Sequence, residues 1–416
     1  MNLVRVLKSK SNWAVLITPV AVLAVSAGLV FSLPAGKSDL WHKPHKHPKV
    51  NNDVGPTVIP VVATKNIDKN GIKTSAQVQG ISSGALPPAH TGLANSSNSE
   101  LKKLAQYEQA SGGAVASGMM YFTDYPDNVA GAKGYASHMY STLKEFAKYG
   151  ITPLIIMEPS NSNGILSFSN YRNGAYDGIL DTYFQALKNL GLSDSEMGIW
   201  TYFPEANLPE WGPVDVADFA PNITRTVNIQ KKYFPSSRAS IMLDAESYPA
   251  GSTNWSNGSY VSLAPFVSGI PSGLLDSFGL QGFPWVPAAN KTGQASSINP
   301  GVYLNSSLAA DAANRLGVKY IWLNTGSPAA MYTNNPSQIV YFSASQRQAM
   351  LNGVLNQALK LKNSGYGVAV NLFSEDKSNT SRAIDWSYKT ATDQIVFENF
   401  AGQLNANHID MWLFDN

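Results

Sequence analysis

The sequence predicts an α/β fold of the (β/α)₈ TIM barrel class, preceded by an N-terminal transmembrane anchor and a linker. Three observations carry that expectation. From about residue 76 the chain holds eight short apolar runs: Ala76–Ile81, Val115–Phe122, Pro153–Met157, Met197–Phe203, Ala239–Leu243, Ser277–Gly282, Val318–Leu323 and Gly367–Phe373. Strands buried on both faces read as such runs. Segments of helical period lie between them. One sets Tyr135, Met139, Leu143, Phe146 and Ala147 on a single face. Another follows a Ser343-x-x-Gln346 capping box with Met350, Leu351, Val354, Leu355, Ala358 and Leu359. Finally, no Gly-rich phosphate turn follows an early strand, as a doubly wound open sheet would lead one to expect.

The segment before the barrel divides in two. Arg5, Lys8 and Lys10 precede an uncharged, largely apolar run from Trp13 to Leu33. At about 1.5 Å rise per residue, a run of this length crosses a hydrocarbon core of about 30 Å. Residues 1–33 thus form a signal-anchor, or a cleaved signal peptide with Val25-Ser26-Ala27 as its cleavage site. In either case the basic flank stays cytoplasmic and the body lies outside. The expected location is the cell membrane, single-pass with the barrel external, or secretion if the segment is removed. Residues 34–75 read as a flexible linker, with His42, His45 and His47 in a solvated basic cluster. The barrel occupies 76–416.

Composition narrows the chemistry. The 416 residues are 44% hydrophobic and 14% charged, with a net charge of +2, which gives no electrostatic reason for a nucleic-acid partner. There is no cysteine, so disulfides, thiolate chemistry and Cys-based zinc sites are excluded. With so few histidines in the barrel region, no metal or other cofactor is expected, and a monomer is expected.

In such barrels the chemistry gathers where strands end and loops begin. The third run ends in Met157-Glu158-Pro159, the fourth in Phe203-Pro204-Glu205-Ala206-Asn207 followed by Pro209-Glu210-Trp211-Gly212. The fifth leads into Asp244-Ala245-Glu246-Ser247-Tyr248-Pro249, and the sixth into Gln281-Gly282-Phe283-Pro284-Trp285. The seventh leads into Asn324-Thr325-Gly326-Ser327 and the eighth into Ser374-Glu375-Asp376-Lys377. Carboxyls, carboxamides and aromatic rings thus collect at one end. Glycosidic cleavage needs such a set: one carboxyl protonates the leaving oxygen, a second attacks the anomeric carbon or activates water, and amides and rings hold the sugar. Asp376 and Glu210 are read instead as caps of the following helices. Glu205 directly follows a buried strand and precedes Asn207 by two residues, which marks it as functional.

Phe203-Pro204-Glu205-Ala206-Asn207 with Trp211-Gly212 resembles the strand-four motif of glycoside hydrolase family 26 and related barrels of the same clan. Pro153 to Pro159 is similar to that family's strand three, and Phe373 to Trp386 to its closing strand and the aspartate-tryptophan that follow. The resemblance implies that Glu205 is the general acid/base. It also implies a nucleophilic Glu at the end of strand seven, where this chain has Asn324-Thr325-Gly326; Pro204 likewise stands where the family usually has His. Three accounts of Asn324 stay open. The second carboxyl comes from Glu375, Glu246 or Asp244; or hydrolysis is lost and sugar binding kept; or Asn324 orients a 2-acetamido group. The expected substrate contacts are Glu158, Asn207, Trp211, Asp244, Tyr248, Gln281, Phe283, Trp285, Asn324 and Trp386, on a polysaccharide or oligosaccharide. Trp200 and Trp322, inside strands, are expected to pack. The leading expectation is a glycoside hydrolase acting on a β-linked polysaccharide. The alternative is a non-catalytic carbohydrate-binding or surface-interaction protein on the same barrel.

Overall fold

The computed structural model describes residues 118–149, 151–207, 215–245, 263–284, 301, 304–331, 340–373, 376–377, 384–388 and 390–414. The signal-anchor, the linker and the run Ala76–Ile81 lie outside the described residues. Among the described residues, no helix is long and apolar enough to cross a membrane.

Eight parallel strands close into a barrel. In chain order they are β1 (Gly118–Thr123), β2 (Thr152–Met157), β3 (Ile199–Tyr202), β4 (Arg238–Asp244), β5 (Ser277–Gln281), β6 (Tyr320–Gly326), β7 (Gly367–Phe373) and β8 (Asp410–Phe414). The longer helices between them are α1 (Val129–Tyr149), α2 (Asp177–Asn189), α3 (Val216–Tyr233), α4 (Ser306–Leu316), α5 (Ala344–Asn363) and α6 (Ala391–Ala406). The β4–β5 connection shows only the short helix Ala264–Val267 among its described residues.

One strand assignment needs correction. β8 pairs with both β1 and β7 and so completes the ring without Ala76–Ile81. Seven of the eight predicted runs are barrel strands, each displaced by one place. Glu205 therefore follows the third strand rather than the fourth, and Asn324 lies on the sixth rather than the seventh. On a closed ring only separation matters, and the strands bearing these residues stay three apart.

Residue parity along the strands assigns the two faces. Met119, Tyr121, Ile155, Trp200, Tyr202, Ile241, Leu243, Phe278, Leu280, Leu323 and Val370 join one apolar cluster with the helices. The alternate set faces the barrel interior, as its contacts across intervening strands require. Trp322 Nε1 on β6 donates to Ser240 Oγ on β4 at 3.1 Å, and the amide of Asn324 reaches Met242 Sδ at 3.6 Å. The indole passes over Gly279 of β5, where a Cβ would sit 2.3 Å from the ring. Glycine is thus what admits a tryptophan to the barrel axis, and both Trp200 and Trp322 are fully buried, as expected for packing residues. Gly279→Val should destabilise the fold by about 3 kcal/mol, because a barrel interior cannot absorb such overlap. Urea midpoints read this directly.

The helices form for reasons legible in their ends. The Ser343/Gln346 capping box opens α5, and a second box, Thr390 with Asp393, opens α6. The apolar face of α1 buries Met139, Leu143 and Phe146 together with Ala132 and Ala136. Ala147, predicted on that face, is exposed because the helix has turned past its contact with the barrel. Asn222, the first residue of an Asn-x-Thr sequence, is fully buried with its amide on the Phe168 carbonyl at 3.0 Å, so no glycan can attach there.

Candidate active site

At the C-terminal end of the barrel a row of polar residues crosses four strands. Asp244 of β4 lies in register with Gln281 of β5, Gln281 with Asn324 of β6, and Asn324 with Asn371 of β7. Neighbouring strands lie about 4.8 Å apart, so side chains at one level and on one face can bond directly. They do. Asn371 Nδ2 donates to Asn324 Oδ1 at 2.7 Å, and Asn324 Nδ2 donates to Gln281 Oε1 at 2.7 Å. Gln281 Nε2 then donates to Asp244 Oδ2 at 3.1 Å and also to Glu205 Oε1. None of these five side chains is more than 7% exposed.

Glu205 reaches this row from an unusual backbone. Phe203 and Glu205, either side of Pro204, have φ of 50° and 54°. Residues with a Cβ meet the following carbonyl there, at a cost of roughly 1–2 kcal/mol each. The turn is held by the Glu205 N–H on the Met242 carbonyl at 3.0 Å, and by Phe203 packed on Tyr171 and Phe168. Asn207 braces the neighbouring strand: its Nδ2 donates to the Asp244 carbonyl at 2.7 Å and its Oδ1 accepts from the Asp244 N–H at 2.9 Å. The same turn that aims Glu205 therefore fixes Asp244.

Sharing one donor nitrogen holds Glu205 Oε1 and Asp244 Oδ2 within about 6 Å of each other, since each hydrogen bond spans about 3 Å. Two carboxylate charges at that distance repel by about 3 kcal/mol at an effective dielectric of about 20. A bridging amide N–H₂ between them offsets part of that repulsion. Among the described residues no group of His, Cys, Asp and Glu has the makings of a metal site.

The other expected site residues fall into two sets. Glu158 follows β2, buried, with its N–H on the Thr123 carbonyl at 3.0 Å. Trp386 is 3% exposed and packs against Phe283 and Phe373, over Gly326, where a Cβ would lie 2.7 Å from the ring. Glu246, Trp211, Tyr248, Trp285 and Glu375 lie outside the described residues. Two residues escaped the sequence reading. Asn371 sits inside an apolar run, its only signal a lone amide at inward parity. Arg347, fully buried, donates to the carbonyls of Ser327, Ser387 and Trp386, and thereby holds the Trp386 segment on the end of β6.

No protein-family model and no curated protein matches the sequence. Solved structures similar to the chain include proteins named as glycosidases. A fungal β-1,4-galactanase is 15% identical over 68% of this chain and 88% of its own, with a TM-score of 0.44. The family 1 β-glucosidase of Thermotoga maritima is 11% identical over 79% of this chain and 95% of its own, with a TM-score of 0.45. A GH26 β-mannanase from Bacteroides ovatus is 10% identical over 78% and 87%, with a TM-score of 0.43. These likenesses assign no role to this chain, whose barrel is shown by its own closed ring of eight strands.

Proposed function

We propose that the protein is a glycoside hydrolase acting on a β-linked polysaccharide or oligosaccharide, with Glu205 as general acid/base and Asp244 as its partner carboxyl. The observation that carries this reading is the single Gln281 nitrogen shared by the two carboxyls at the mouth of the barrel. A ceiling of about 6 Å between the two bonded oxygens lies below the roughly 6.5–9.5 Å that leaves room for an inverting water and admits the roughly 5–5.5 Å of retaining enzymes. In the first step Asp244 attacks the anomeric carbon and the glycosidic C–O bond breaks. Glu205 gives its proton to the departing oxygen. In the second step Glu205 takes a proton from water, which attacks the anomeric carbon and releases Asp244.

This arrangement removes the need for a carboxyl at position 324. Asp244, on the strand beside Glu205, supplies it instead, and Glu246 and Glu375 remain open as further contributors. The N-terminal basic flank and apolar run support placing this barrel outside the cell, anchored or secreted. Reducing-end release from a panel of β-linked glucans, mannans and galactans tests the activity. Asp244→Asn should lower turnover by at least about 10³-fold while the protein still melts cooperatively; retained turnover would remove Asp244 from the mechanism.

A second reading has one observation in its favour. Asn324 stands where the resembled family carries its nucleophile, and both ends of its amide are engaged by neighbouring amides. A binding protein on this barrel would bind oligosaccharides with no release of reducing ends on any substrate of the panel.

A further inference from the structure

The direction of the amide row is not arbitrary. The ionised Asp244 can only accept, so Gln281 must offer Nε2 to this end, where Glu205 Oε1 also accepts, and keep Oε1 for Asn324. Asn324 must then offer Nδ2 to Gln281 and Oδ1 to Asn371, whose Nδ2 completes the row. The row ends on Asn371 Oδ1, a buried oxygen with no hydrogen-bond partner. An orphan acceptor at the far end is the signature of an orientation imposed from the carboxyl end. Reversing Asn371 would strand its donor group instead and lose the bond to Asn324.

We propose that Gln281, Asn324 and Asn371 form a one-way donor relay that holds one oxygen of each carboxyl, Glu205 Oε1 and Asp244 Oδ2, as a hydrogen-bond acceptor. The proposal rests on the reading that Glu205 and Asp244 are the hydrolytic pair. With Glu205 Oε1 and Asp244 Oδ2 held as acceptors by Gln281, the acidic proton is kept off Glu205 Oε1 and each carboxyl is held in one orientation. Gln281 and Asn324 are thus positioning residues. The relay also accounts for the amide at position 324. A carboxylate there can only accept, so it would draw the Gln281 nitrogen to itself and turn Oε1 against both carboxyls. Hydrogen-bonded amides polarise one another, which makes the row act as a unit.

The test is Asn324→Asp, which changes one N–H₂ to an oxygen and keeps the shape. Among the described residues the titratable groups after the strands at this end include Asp124 after β1, Glu158 after β2, Glu205 after β3, Asp244 on β4, Asp376 and Lys377 after β7, and Asp385; the positions in register with Asp244 on β5, β6 and β7 are amides. The variant should lose about 100-fold in kcat at neutral pH with KM little changed. On acidification the introduced carboxyl protonates and donates again, so the deficit relative to wild type should shrink. Asn324→Ala should lose activity without that acid recovery, and Asn324→Glu should be no better than Asn324→Asp. Undiminished kcat in Asn324→Asp, or a loss that is the same at every pH, overturns the relay. A wild-type protein that releases no reducing ends refutes the hydrolase reading but leaves the relay testable without catalysis. The Gln281 side-chain amide resonances of sugar-free protein should move in Asn324→Asp at neutral pH and return on acidification. Unmoved resonances overturn the relay whatever the activity.

Discussion

Glu205→Gln is expected to reduce hydrolysis by about 10²–10⁴-fold, the usual worth of a positioned general acid/base, while oligosaccharide affinity changes by no more than a few-fold. The substitution keeps an oxygen that accepts from Gln281 Nε2 and removes only the transferable proton. The backbone at position 205, with φ of 54° beside Pro204, is unaffected by a change at the end of the side chain. Initial rates on activated and natural substrates should separate the two steps. A good leaving group needs no proton, so the activated substrate should suffer the smaller loss. Equal hydrolysis by variant and wild type would remove Glu205 from the chemistry, and loss of binding together with loss of rate would make it a sugar ligand only.

Arg347→Met is expected to cost about 3–5 kcal/mol of stability, the largest effect foreseen away from the carboxyl pair. The guanidinium is fully buried at the start of α5. It bonds the Asp393 carboxylate at 2.6 Å, the carbonyls of Ser327 and Ser387 at 3.1 and 3.0 Å, and that of Trp386 at 3.2 Å. Its Cζ lies 4.1 Å above the Tyr388 ring. Burial pushes the Tyr388 hydroxyl up, so it stays protonated and pairs with Ser327 Oγ at 2.8 Å. Methionine fills the volume but leaves three carbonyls and a carboxylate without their donor. Arg347→Lys should recover little, because a point ammonium cannot satisfy a fork that spans four acceptors. Denaturant midpoints of the two variants check this; a shift worth under about 1 kcal/mol for Arg347→Met would contradict the clamp.

Much of this barrel is written in its apolar runs, and the reasons for the exceptions are physical. Strands such as Gly367–Phe373 are buried on both faces, so period and length announce them. The closing strand does not. Asp410–Phe414 is five residues long, opens on a buried aspartate bonded to Tyr320, and follows the last helix closely. Ala76–Ile81 has a comparable pattern, and nothing local distinguishes the two; ring closure does.

The positions of the candidate residues were legible in the sequence; their partnerships were not. Glu205, Asp244, Gln281 and Asn324 all stand at strand ends, where sequence alone expects function. That Asp244 rather than a residue of β6 faces Glu205 depends on register, which follows from long-range pairing. Asn207 illustrates the limit: expected on the sugar, it spends both ends of its amide on the Asp244 backbone. Trp386, expected on the sugar, is buried against Phe283 and Phe373, and how it sits depends on Arg347, some forty residues earlier in the chain.

The most direct measurement of the central claim is mass spectrometry of the protein after reaction with 2-deoxy-2-fluoro-β-glycosides bearing a good leaving group. The fluorine slows the second step more than the first, so a retaining enzyme accumulates its glycosyl ester. Peptide mapping then locates the sugar. Addition of one fluorosugar to Asp244, absent in Asp244→Asn and slow to hydrolyse in Glu205→Gln, is the predicted result. A protein that turns over β-glycosides but carries the label on Glu375 or Glu246, or never carries one, would contradict the assignment of Glu205 and Asp244 as the working pair.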